Sequence, residues 1–441
     1  MNTDLIIIGS GPGGYRAAAY AAQNGLQVVI VEKAHAGGTC LNSGCIPTKT
    51  LCHHAEQLSH SSSVNKDEAF ASAMAHKAEV IGQLRDGVGQ LMSSPGITFV
   101  KGEARFVEDK VVEVLCRNDD GSESCVQYTA PNIIIATGSV AKLPPIEGID
   151  MPHVMTSTEL LDIERVPSRL CVIGAGVIGL EMASVFNAFG SKVTVVEFLK
   201  ECLLAMDSDL AKRLRKSMEK NGIEFFMQSG VKRITETEVI FADKKGREQS
   251  VEADAVLVAT GRAANITAVP ESLTVSKFIP VDDDFQTSIP GIYAIGDVNG
   301  RCLLAHAATF QGLHVVNHIL GKSDSIRFDI MPAAVFTAPE VASVGPTEQQ
   351  LKDQGSDFRV LKGYYRSNGR ALANECTEGL LKLVVAPDDR ILACHAMGCH
   401  AADIVQEATV LISLGATVAQ LRDIIHIHPT LAEVLHEVSF I

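Results

Sequence analysis

A chain of 441 residues, 46% hydrophobic and 20% charged, has the composition of a folded protein of about two to four domains and excludes a disordered one. A net charge of −14 and the absence of tryptophan argue against a nucleic-acid binder, which needs surplus cations and stacking aromatics. No apolar run approaches the ~20 residues of a membrane span, and no basic flank precedes the first apolar run, so the expected compartment is the cytoplasm.

In chain order, the first signal is an apolar strand, Leu5 to Ile8, running into Gly9, Gly11 and Gly14 of a Gly-x-Gly-x-x-Gly turn. An alanine-rich helix, a second apolar strand from Val28 and then Glu32 follow. The pattern returns 165 residues later as Gly174, Gly176 and Gly179, with Glu197 at its end. In both copies the acid stands 18 residues after the third glycine (14 to 32, 179 to 197). Strand, glycine turn, helix, strand and acid make a dinucleotide-binding unit. The first glycine turns the chain, the second lets a pyrophosphate approach, and the third packs helix on strand. The acid accepts from a ribose hydroxyl, and the phosphates rest on the helix N-terminus. Each copy closes with an apolar strand and Ala-Thr-Gly, at Thr137-Gly138 and at Thr260-Gly261. A third strand ends in Gly296-Asp297, a pair suited to a cofactor phosphate or ribityl hydroxyl.

Between Glu32 and a long helical stretch stand Cys40 and Cys45, five residues apart. On one regular helix they would diverge by about 140° and could not join. Asn42, Ser43 and Gly44 are turn residues, which predicts Cys40 on a loop folding back to Cys45 at a helix N-terminus. That position and Lys49, one turn on, favour a thiolate. A purely structural disulfide is the alternative, and zinc fits poorly because no second pair with metal-ligand spacing accompanies the first. Near the end, Pro429 suits the first turn of a helix, leaving His428 at its start and Glu433 within reach of the imidazole as the carboxylate that orients a general base. Cys394 and Cys399 read as free thiols, and His53, His54 and His60 beside serines as a solvated helix end and loop.

The segment Gly37-Gly-Thr-Cys-Leu-Asn-Ser-Gly-Cys-Ile-Pro-Thr-Lys49 resembles the redox segment of the flavin-dependent disulfide oxidoreductases. The two fingerprints, the two Ala-Thr-Gly phrases, Gly291 to Asp297, Phe336 to Gly345 and His428-Pro-Thr430 follow in that family's order. The chain is most similar to the dihydrolipoamide dehydrogenase branch. The resemblance implies an α/β fold with two Rossmann-like domains, for FAD and NAD, and a C-terminal α+β interface domain that forms a homodimer. Its implied limits are 1–145 and 268–326 for FAD, 146–267 for NAD and 327–441 for the interface. It implies Cys45 as the flavin-proximal thiol, Cys40 as the interchange thiol, and Lys49 near the flavin, paired with Glu181. It implies His428, held by Glu433, acting on the cysteines of the other subunit. Lipoyl domains and the E2 core of a 2-oxoacid dehydrogenase or glycine cleavage complex are the implied partners. Glu197 would repel a 2′-phosphate and no arginine pair follows it, which favours NAD over NADP. Ile178 stands where glutathione reductases carry a tyrosine. The proline common after Arg262 is missing, Asp403 replaces a usual glutamate, and the tail after His428 is short. A sibling reductase of another disulfide or a metal ion, and a flavoprotein redox sensor, remain the alternatives.

Overall fold

Leu5–Ile8 (β1) carries no polar side chain, and Val28–Glu32 (β2) none before Glu32, as strands covered on both faces require. They lie in a computed structural model that describes residues 1–59, 65–117, 122–274 and 276–441, so the histidine tract falls partly outside the described residues. The chain divides into two compact units. The first comprises residues 1–50, 72–142 and 261–326, and the second residues 51–71, 143–260 and 327–441.

In the first unit β1 and β2 pair in parallel within a five-stranded sheet, ordered Ile292–Ala294, Asn132–Ile135, β1, β2, Ile97–Lys101. Helix Pro12–Gln23 (α1) crosses from β1 to β2. Helix Ala305–Ile319 packs on it where both are small: a Cβ on Gly312 would stand 2.9 Å from the Gly13 carbonyl oxygen. After β2 come two helices, Gly38–Ser43 (α2) and Cys45–Ser59 (α3). The residues after the two Ala-Thr-Gly phrases form a short antiparallel ribbon, Ser139–Ala141 with Arg262–Ala264.

The second unit repeats the design. Arg169–Ile173 (β3), helix Val177–Ala188 (α4) and Lys192–Glu197 (β4) sit in a parallel sheet ordered Glu224–Met227, β4, β3, Ala255–Val258, Val154–Met155. The unit also holds a five-stranded antiparallel sheet, Ala333–Val335, Glu340–Val344, Ile391–Gly398, Leu380–Val385, Arg359–Tyr364. Helix Ala401–Ser413 covers it over a core that includes Leu381, Leu383, Ala396, Ile404 and Val405. The fold is thus mixed α/β with the duplicated parallel sheets the repeat implies. Among the described residues no helix is long and apolar enough to cross a membrane.

Candidate functional site

The two glycine turns are near-identical. Gly9 and Gly174 hold φ of 101° and 107°, and a Cβ on either would stand 2.4 or 2.5 Å from the carbonyl oxygen of Ala136 or Ala259. Gly14 and Gly179 pack closest, with a Cβ 2.0 or 2.1 Å from the oxygen of the first glycine of the turn. By contrast, a Cβ on Gly11 or Gly176 would meet nothing within 4 Å. Each of these middle glycines is the N-cap of its helix and supplies no side-chain cap, so the first-turn amides of α1 and α4 stay open to an anion. The turns therefore fit the pyrophosphates of two dinucleotides.

Both acids do more than the sequence suggests. Glu32 accepts the Ser10 N–H at 2.9 Å on one oxygen and the Ala34 N–H at 2.9 Å on the other. Glu197 accepts the Ala175 and Leu199 N–H groups, each at 2.6 Å. Each carboxylate ties its strand end back to its glycine turn, and its remaining lone pairs suit ribose hydroxyls. Glu181 is buried and accepts the Phe336 N–H at 2.9 Å. Ile178 lies half-buried in the first turn of α4.

Cys40 lies in a helical turn, not on the expected loop. Gly37 and Gly38, at φ of 95° and 61°, start α2, and the Asn42 amide donates to the carbonyls of Ala36 and Gly38. Gly44 then breaks the helix where a Cβ would crowd the Thr39 carbonyl at 2.9 Å, and α3 begins at Cys45 itself. The break between two helices folds Cys40 back onto Cys45. The two thiols hydrogen-bond, and this bond, burial and the negative charge of Cys45 push the Cys40 thiol well above its ordinary range. Lys49 acts in the opposite direction, as does the Cys45 N–H. Arg85 donates to the Asn42 side chain and braces the segment.

Ser139 and Arg262, to which sequence reasoning gave no role, join Asp297 in a network that borders this site. Arg262 donates to the hydroxyl and carbonyl of Ser139, each at 2.6 Å, and the Ser139 hydroxyl donates to Asp297. Burial pulls the Arg262 guanidinium below its usual value, against the opposing charges of Asp297 and Cys45. Thr137 donates to the Asn265 carbonyl at 2.6 Å, while Gly138 and Gly261 turn at φ of 71° and 110° into open space. Gly296 donates its N–H to Gln311 at 2.8 Å. The signal for this network was the residue following each Ala-Thr-Gly phrase.

In the second unit His428 Nδ1 and Glu433 Oε1 are 3.0 Å apart, as expected. The helix start is corrected. His428 and Pro429 lie in irregular chain, and the helix runs only from Glu433 to Glu437. Glu433 accepts the Thr430 N–H at 2.8 Å, and this bond and His428 hold its carboxyl below the usual range. The His428 side chain is 79% exposed. Cys394 is buried and Cys399 half-buried, both as free thiols.

The sequence matches the family described as pyridine nucleotide-disulphide oxidoreductase over residues 3–312, and that family's dimerisation domain over residues 331–439. It is 38% identical to dihydrolipoyl dehydrogenase 1, mitochondrial, of Arabidopsis thaliana, over 99% of this chain and 89% of the relative. It is 37% identical to dihydrolipoyl dehydrogenase of Geobacillus stearothermophilus, over 100% of this chain and 96% of the relative. Among solved structures, the HOCl-induced flavoprotein disulfide reductase RclA from Escherichia coli superposes with a TM-score of 0.88 at 30% identity, covering 99% of each chain.

Proposed function

This chain belongs to the pyridine nucleotide-disulphide oxidoreductases, flavoproteins that use FAD and a nicotinamide nucleotide, and on that premise we propose that it oxidises dihydrolipoamide to lipoamide with NAD as acceptor. We assign FAD to Gly9, Gly11, Gly14, Glu32, Lys49, Thr137, Gly138, Gly296 and Asp297. We assign NAD to Gly174, Gly176, Ile178, Gly179, Glu181, Glu197 and Gly261. The corresponding domain limits are 1–145 with 268–326, 146–267, and 327–441.

A thiolate of the substrate attacks Cys40 and breaks its bond to Cys45. The substrate's second thiol then attacks the mixed disulfide, closes the lipoamide ring and frees Cys40. Two electrons and the dithiol remain on Cys40 and Cys45. FAD, when bound, supplies the relay from that dithiol to the nicotinamide. The substrate thiols must lose protons, and His428 is the base, its free ring nitrogen made more basic by Glu433. Its exposure suits a base that serves the cysteines of a second copy, in keeping with the dimerisation domain. Lys49 and Arg262 favour the Cys45 thiolate electrostatically.

The observation that carries this reading is the combination of two thiols in hydrogen-bond contact, Cys40 and Cys45, and a histidine already oriented by a carboxylate. A steady-state assay of NAD reduction by dihydrolipoamide tests it. The wild type turns over, and His428→Gln lowers kcat by about 10²–10⁴-fold. No NAD-linked turnover with dihydrolipoamide would refute it. The end-to-end match to RclA favours a second reading, a reductase of another disulfide or of cupric ion. Faster NADH oxidation by those acceptors than by lipoamide would select it.

A further inference from the structure

Cys399 does not meet Cys394, its neighbour at the same spacing as the redox pair. Its thiol hydrogen-bonds that of Cys376, which is remote in sequence. Cys376 follows helix Gly369–Ala373 and donates its N–H to Ala371 at 3.0 Å. Cys399 follows strand Ile391–Gly398, and its carbonyl accepts the Tyr365 hydroxyl at 3.1 Å. Both side chains are half-buried against the same core. Each has a non-glycine neighbour in the left-handed region, Glu375 at φ 56° before Cys376 and His400 at φ 56° after Cys399, a conformation that surrounding structure must enforce.

We propose that Cys376 and Cys399 form a second dithiol site, separate from Cys40 and Cys45, that closes to a disulfide by exchange with small disulfides such as oxidised glutathione. Burial, followed by the charge of Cys376, pushes Cys399 up to about 12, which makes it the poorer nucleophile. Cys376 therefore attacks one sulfur of the small disulfide, and the leaving thiolate takes a proton. Cys399 then attacks the Cys376 sulfur of the mixed disulfide and releases a second small thiol. The protein loses two electrons and two protons, and the small disulfide becomes two thiols. The new bond ties the end of helix Gly369–Ala373 to the start of helix Ala401–Ser413.

The test uses the purified holoprotein, reduced and then incubated with oxidised glutathione. Free thiols are alkylated with N-ethylmaleimide, and the unreduced digest is read by mass spectrometry. The expected product is a Cys376–Cys399 linked peptide that dithiothreitol abolishes. In Cys376→Ser, which keeps its flavin and turnover, Cys399 is recovered alkylated or joined to glutathione. Recovery of both cysteines as alkylated thiols while Cys40 and Cys45 are oxidised would overturn the proposal, as would a link from Cys399 to Cys394.

Discussion

In the first nucleotide fold Ser10 accepts the Gly37 N–H at 2.9 Å, and Gly38 approaches so closely that a Cβ would stand 2.6 Å from the Cα of Gly11. At the matching place in the second fold Leu203, also left-handed at φ 47°, donates its N–H to the Ala175 carbonyl at 3.1 Å, yet Gly176 is exposed where Gly11 is half-buried. The turns, helix caps and acids agree nearly atom for atom, so the difference lies in the residues beyond each acid. The first copy continues into the redox segment, which covers its own phosphate cradle. The second leaves its cradle facing solvent. A covered site suits a resident nucleotide and an open one suits a nucleotide that exchanges each turnover. On the proposed assignment, one duplicated unit yields a cofactor site and a substrate site through the residues that follow each acid.

In the first fold Gly38 packs on Gly11, where the second fold has Leu203 in the matching place. Gly38→Ala adds a Cβ at a left-handed position against Gly11, and the protein is expected to purify without flavin, read as the ratio of visible to ultraviolet absorbance. The second fold is instead anchored within its own unit. Lys382 is buried and bonds Asp207, the N-cap of helix Ser208–Lys220, at 2.8 and 2.9 Å. Lys382→Ala leaves that carboxylate unpaired and is expected to destabilise the second unit by about 3–5 kcal/mol in denaturant titration, with flavin binding retained under native conditions. Glu197→Gln turns an amide towards one of two backbone N–H groups. A cost of about 1–3 kcal/mol should emerge as a KM for NAD raised ~5–150-fold, with flavin content and the KM for dihydrolipoamide unchanged.

The smallest effect is in acid. Burial opposes ionisation of Asp207, but hydrogen bonds and charge from Lys382 outweigh it and hold the carboxyl below its ordinary value. A depressed carboxyl gives stability that is complete above its unfolded value, about 3.9, and lost as pH falls through the folded value. Wild-type stability should therefore drop below about pH 4 more steeply than that of Lys382→Ala.

The features legible in the sequence were local. Glycines 9, 11 and 14 and their repeats act within one turn, and their open or crowded Cβ positions match the roles their spacing implied. The Cys40–Cys45 approach and the His428–Glu433 bond also span few residues. The helix around Cys40 was missed because its N-cap is Gly37, a left-handed glycine with no side chain to announce a helix start. The start at Glu433 lies one turn beyond the proline that the sequence offered as the first helical residue. Ser139 stands 123 residues from Arg262 and 158 from Asp297 in the chain, and Lys382 and Asp207 stand 175 apart. No periodicity reports such pairings. They depend on which strands neighbour one another.

In the proposed mechanism Cys40 and Cys45 exchange electrons with a nicotinamide through the covered nucleotide. Alkylation of the holoprotein before and after anaerobic addition of NADH, read cysteine by cysteine, tests this directly. Cys40 and Cys45 should be protected in the oxidised protein and both labelled after NADH. Consumption of NADH with neither cysteine becoming reactive would contradict the mechanism.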